Sequence, residues 1–185
     1  RFLATLKHMF TKAVEWEMVE EEVLKKVRKV KLSQENNRRL RYLSADECKA
    51  LVAACDSHSK PIVITALNTG MRKGEILGLR WDQVDLIHGF ILLDVTKNGE
   101  RREIPINETL REILRGTPRR IAGNGADKPY VFVDRKGNFY KNGKRSFSSA
   151  CRRAGIKDFR FHDLRHTFAV QMVMAGVDLT TIKEL

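Results

Sequence analysis

The sequence predicts an α+β fold that is mainly α: a helical domain with one small three-stranded antiparallel sheet. Apolar residues recur at helical spacing through most of the chain. Between residues 90 and 106 the pattern changes to β-branched and aliphatic runs around Asn98-Gly99, a strong hairpin signal. A further apolar run, "YVFV" at 130 to 133, supplies the expected third strand.

Residues 1 to 22 read as an amphipathic helix, with Phe2, Leu6, Met9, Phe10, Ala13 and Val14 on one face. The first 24 residues are accordingly set apart as a helical segment. Residues 25 to 41, "KKVRKVKLSQENNRRLR", are polar and basic with little periodicity and read as a linker. A solvated connection and a strip that tracks a phosphate backbone both fit it. The main domain spans 42 to 185. "LSADECKALVAAC" opens with Ser44 three residues before Glu47, a capping box, and a helix to about Cys55 follows. "KPIVITALNTG" is a second helix, with Pro61 in its first turn and Gly70 at its end. "MRKGEILGL" resumes as a short helix, and after the strands helices return near Arg145, from 162 to 175, and from about Asp178.

The 185 residues suffice for one domain with a proper core, or for one domain plus a fragment of another, and their 42% hydrophobic and 31% charged content is that of a soluble globular protein. No apolar run approaches the roughly 20 residues of a membrane span. The chain begins at Arg1 rather than Met, so it reads as part of something longer. Three cysteines, Cys48, Cys55 and Cys151, form no metal-binding pair and read as reduced structural thiols, with Cys48 and Cys55 facing a core. The net charge is +12, and residues 97 to 165 hold 18 Lys and Arg against 8 Asp and Glu. So local an excess points to a polyanion. Neither a Rossmann fingerprint nor a phosphate-binding P-loop is present, which argues against a nucleotide-driven machine.

Two clusters carry chemistry. In "FHDLRHTFA", residues 161 to 169, His162, Arg165 and His166 stand at helical i, i+3, i+4 spacing. A metal site is disfavoured, because Asp-Leu-Arg separates the histidines and Arg165 would repel a cation. His166 fits a core histidine. Arg165 fits an anion, since an arginine rarely goes inside without one, and its planar fork matches two phosphate oxygens. Upstream, "TGMRKGE" places Arg72 two residues after Gly70 at a helix start, with Glu75 able to hold its guanidinium from the side.

"TGMRKGE" followed at a distance by "HDLRHTFA", with "LRYLSADE" at 40 to 47 as the usual entry, resembles the catalytic domain of the tyrosine recombinase (phage integrase) family. The resemblance covers about residues 40 to 185, and residues 1 to 24 resemble the last helix of the preceding core-binding domain. It implies the fold of the DNA breaking-rejoining enzymes. It implies that Arg72 and Arg165 clamp a scissile phosphate, that Lys97 in the hairpin is a general acid, and that His162 opens the H-x-x-R motif. Glu75 is then a supporting acid, and His166 a position that supports from behind. The implied reaction is site-specific, metal-free transesterification through a 3′-phosphotyrosine, with no cofactor. The implied partners are double-stranded DNA and further protomers, four in the family's synapse, in the cytoplasm of a bacterial cell. The only tyrosines, Tyr42, Tyr130 and Tyr140, precede Arg165, so none matches the family's nucleophile. The chain is therefore expected to be a fragment, inactive in cleavage, that ends before that residue. The rival class is a non-catalytic DNA-binding regulator. A third, an RNA-processing or ligand-binding protein, is disfavoured because no aromatic-rich strand platform is present.

Overall fold

The computed structural model describes residues 2–31, 41–93, 101–119, 130–134, 140 and 143–184. The chain divides into two units, Arg1–Arg39 and Leu40–Leu185.

The first unit holds α1 (Phe2–Glu15) and α2 (Glu21–Lys29). The single helix expected over 1 to 22 is thus shorter, and the stretch read as linker begins inside a second helix. Two physical reasons account for this. Glu17 has a φ of 56°, which ends α1. Glu21 and Glu22 then open α2 while Lys26, Arg28 and Lys29 close it, complementing the helix dipole. Glu21–Lys25 and Glu22–Lys26 pair one turn apart, at 3.7 and 4.0 Å.

The second unit runs α3 (Ala45–Ala54), α4 (Lys60–Thr69), α5 (Lys73–Leu77), β1 (Val84–Asp85), β2 (Phe90–Leu93), β3 (Arg102–Pro105), α6 (Glu108–Gly116), α7 (Lys144–Arg153), α8 (Asp163–Met174) and α9 (Leu179–Glu184). The expected capping box is present: Ser44 Oγ accepts the Glu47 N–H at 3.1 Å, and Glu47 accepts the Ser44 N–H at 2.9 Å. Leu51, Ile76, Leu79, Ile91, Leu110, Leu114 and Leu164 are wholly buried. They join α3, α5, α6, α8 and one face of the sheet into a single core. Cys48 and Cys55 lie half-buried against it and Cys151 is buried within it, all three as free thiols.

The sheet is antiparallel, in the order β1-β2-β3. Its third strand is Val84–Asp85, not the 130 to 133 run. Tyr130 makes one isolated bridge, to Arg80, and Val131 donates its N–H to Leu79 O at 2.8 Å. Val131 and Phe132 are buried all the same, so the apolar run signals burial rather than pairing. Two-residue β1 is too short for an alternating pattern. A tight turn makes it a strand: Asp85 Oδ1 accepts the N–H groups of Ile87 and His88, each at 2.9 Å, and Gly89 adopts a φ of 83°. The tip of the β2–β3 hairpin, residues 94–100 with Lys97, lies outside the described residues.

Candidate active site

The site forms around the turn that ends α4. Gly70 adopts the left-handed conformation, φ 60°, and stops the helix. Thr69 Oγ1 donates to Thr65 O at 2.6 Å and accepts the Met71 N–H at 3.3 Å, and Met71 is buried. The chain therefore leaves α4 in a fixed direction and delivers Arg72 to the start of α5.

Glu75, one turn into α5, holds Arg72 twice. Its Oε2 accepts the Arg72 backbone N–H at 2.7 Å, and its Oε1 accepts the guanidinium at 2.8 Å. The expected side-on support is a direct contact. A third guanidinium completes the group: Arg102, on β3, donates to Glu75 Oε2 at 2.9 Å. Burial pushes the Glu75 carboxyl up, but the bonds from Arg72 and the charges of Arg102 and Arg72 outweigh it. The net result is a carboxylate held below its ordinary range.

Helix α8 brings the second arginine. Asp163 is buried and accepts the Arg160 N–H at 2.8 Å. Thr167 Oγ1 donates to Asp163 O at 2.9 Å and accepts the Leu43 N–H at 3.1 Å, which ties α8 to the chain entering α3. Leu164 and Phe168 are buried on the same side. Arg165 then turns toward α4, and its guanidinium donates to the carbonyl of Gly70, 95 positions away in sequence. Arg165 and Arg72 thus flank one turn. Burial lowers the Arg165 pKa, and the positive charges of Arg102 and Arg72 lower it further against the pull of Glu75. A half-buried guanidinium among other cations is a strong place for an anion.

His162 precedes α8 and is exposed beside Arg165. His166 is exposed too, its ring edge-on to His162 at 5.3 Å. The reading of His166 as a core histidine is therefore corrected. The buried positions of α8 are 163, 164, 167 and 168, which leaves 162 and 166 on the outer face. The structure brings together Arg72, Glu75 and Arg165 and sets His162 at the edge. Arg102 was missed. Its signal was the strand alternation: Ile104 is buried on β3, and Arg102, two residues earlier, shares its face.

The phage integrase family pattern matches residues 41–185. The integrase of Salmonella phage P22 is 31% identical over 186 residues, covering 92% of this chain and 45% of that protein. A shufflon-specific DNA recombinase of Escherichia coli is 38% identical over 167 residues, covering 89% of this chain and 40% of that protein. The chain thus spans less than half the length of these relatives. The crystal structure of XerA recombinase superposes with a TM-score of 0.68 at 25% identity, covering 88% of this chain and 62% of that one. A lambda integrase dimer bound to a core site shares the fold, with a TM-score of 0.77 at 20% identity over 99% of this chain and 69% of that one. With its two arginine motifs folded onto one turn, the chain belongs to the phage integrase family, the tyrosine recombinases.

Proposed function

We propose that the chain is the phosphate-handling part of a site-specific DNA recombinase or integrase. The observation that carries this reading is the convergence of Arg72 and Arg165 on the Gly70 turn, with Arg165 half-buried among positive charge. A phosphodiester seated there meets two planar forks of donors. When an oxygen nucleophile attacks, charge builds on the nonbridging oxygens, and fixed guanidiniums stabilise it without reorganising. In the full reaction a tyrosine oxygen bonds to phosphorus and the 5′-oxygen leaves with a proton. The 3′-phosphotyrosine keeps the bond energy until a 5′-hydroxyl reverses the step, so no nucleotide is consumed. His162 hydrogen-bonds the phosphate from the edge. Lys97 protonates the leaving oxygen, an assignment that rests on the family pattern alone. The 185 residues hold no tyrosine after Tyr140, and by themselves they bind DNA without cutting it. The partners are duplex DNA and further protomers, and the place of action is DNA in the cytoplasm of a bacterial cell.

The test needs no tyrosine. A duplex site, selected from random sequence by binding, carries a 3′-p-nitrophenyl phosphate facing a 5′-hydroxyl. Attack of the 5′-oxygen on phosphorus breaks the aryl P–O bond and releases coloured nitrophenolate. The chain accelerates this release, and Arg165→Ala lowers the rate by roughly 10²–10³-fold, the loss typical of removing a transition-state donor. Tight binding without acceleration would favour the DNA-binding regulator instead.

A further inference from the structure

We propose that Arg102 is a positioning residue of this site: it neutralises Glu75, so that Glu75 orients Arg72 without repelling the phosphate. The inference rests on the phosphate reading above. A carboxylate beside an anion clamp poses a conflict. Glu75 accepts one bond from the Arg72 backbone N–H and one from its guanidinium, which orients the side chain. A carboxylate within 2.8 Å of that guanidinium also cancels its charge and repels an incoming phosphate.

Arg102 resolves the conflict from the opposite side. Its guanidinium lies 2.9 Å from Glu75 Oε2, with its side chain 12% exposed and that of Glu75 17% exposed. At such burial the pair is weakly screened. Arg102 is also fixed from behind, because it sits in register opposite Leu93 in the sheet. Its Nε is buried without a hydrogen-bond partner among the described residues. Such an orphaned donor is costly, so Glu75 is the acceptor that holds this guanidinium in place. Three guanidiniums, Arg72, Arg102 and Arg165, and one carboxylate, Glu75, leave the cluster at +2. Without Arg102 it falls to +1, and Glu75 draws on Arg72 alone.

The experiment is a charge cycle read by nitrophenolate release from the duplex described above, with urea unfolding run on every variant. Arg102→Lys keeps the charge and stays within about threefold of the wild-type rate, whereas Arg102→Gln loses about 10- to 100-fold, as expected for an uncompensated charge beside the anion. In Glu75→Gln/Arg102→Gln no carboxylate is left uncompensated, so the rate recovers to that of Glu75→Gln alone. A residue serving only to hold the fold would show no such recovery. Additive losses in the double variant, or Arg102→Lys as impaired as Arg102→Gln, overturn the proposal. If Arg102→Gln does not fold, the Arg102→Lys rate and the double variant still decide it. If the unsubstituted chain gives no release above protein-free duplex, the phosphate reading itself fails, and this proposal with it.

Discussion

At Gly70 a side chain is excluded twice over. Its φ is 60°, and a Cβ there would lie 2.4 Å from Phe168 Cδ1. The left-handed conformation alone costs a non-glycine residue roughly 1–2 kcal/mol. Gly70→Ala is expected to lower the unfolding free energy by about 2–4 kcal/mol in urea titration, since Phe168 must also shift. Glu75 supplies the acid-side prediction. Its folded pKa lies below the ordinary 4.5, so it binds its proton more weakly folded than unfolded. Its contribution is complete above about pH 4.5 and is lost as pH falls through the folded value. Glu75→Gln should therefore flatten the fall in thermal midpoint below that pH, and an unchanged acid limb would contradict the assignment. The sequence showed Arg72, Glu75 and Arg165 because each sits in a motif with fixed spacing. It hid Arg102 because "RRE" presents two adjacent arginines, and only the strand register tells which faces inward. It misplaced His166 because α8 buries the polar Asp163 and Thr167 while Val173 and Met174 are exposed. Polarity there is a poor guide to the buried face.

Helices and strands were legible where their ends are chemically marked. Ser44 and Glu47 marked α3, Pro61 and Gly70 marked α4, and Asp178 precedes α9, its Oδ1 accepting the Thr180 and Thr181 N–H groups at 2.8 and 3.0 Å. Where the mark is tertiary, the sequence fell short. β1 exists because the Asp85 turn folds it onto β2, and α2 is a short charged helix with a single buried residue, Leu24. The same contrast separates two substitutions. Ser44→Ala removes an exposed cap and is expected to cost about 1 kcal/mol. Thr167→Val keeps the shape of a side chain with no exposure but leaves the Leu43 N–H without its acceptor. It should cost about 1–3 kcal/mol, because a buried donor is then unsatisfied. Denaturant midpoints of the two variants compare them directly, and a Thr167→Val cost no greater than that of Ser44→Ala would contradict the tie between α8 and the start of α3.

Across the whole molecule, the basic excess in residues 97 to 165 was the first pointer to a polyanion, yet the structure shows that its members are not equivalent. Arg153 donates to Ala54 O at 2.6 and 2.9 Å and to Asp56 at 2.8 Å, pinning α7 to the end of α3. Arg111 donates to Leu86 O and lies beside Gly89, where it braces the β1–β2 turn. Both guanidiniums are engaged by acceptors of the chain itself. Only a cation that meets a phosphate releases a counterion, so the salt dependence of DNA binding counts contacts rather than charges. Arg165→Ala is expected to reduce the slope of log Kd against log salt by about 1. Arg153→Ala should leave that slope unchanged while lowering the unfolding free energy. Fluorescence anisotropy on one labelled duplex, titrated at several salt concentrations, measures both. Equal slope changes in the two variants would mean that the basic segment acts as an undifferentiated field, and the assignment of Arg165 to a specific phosphate would lose its support.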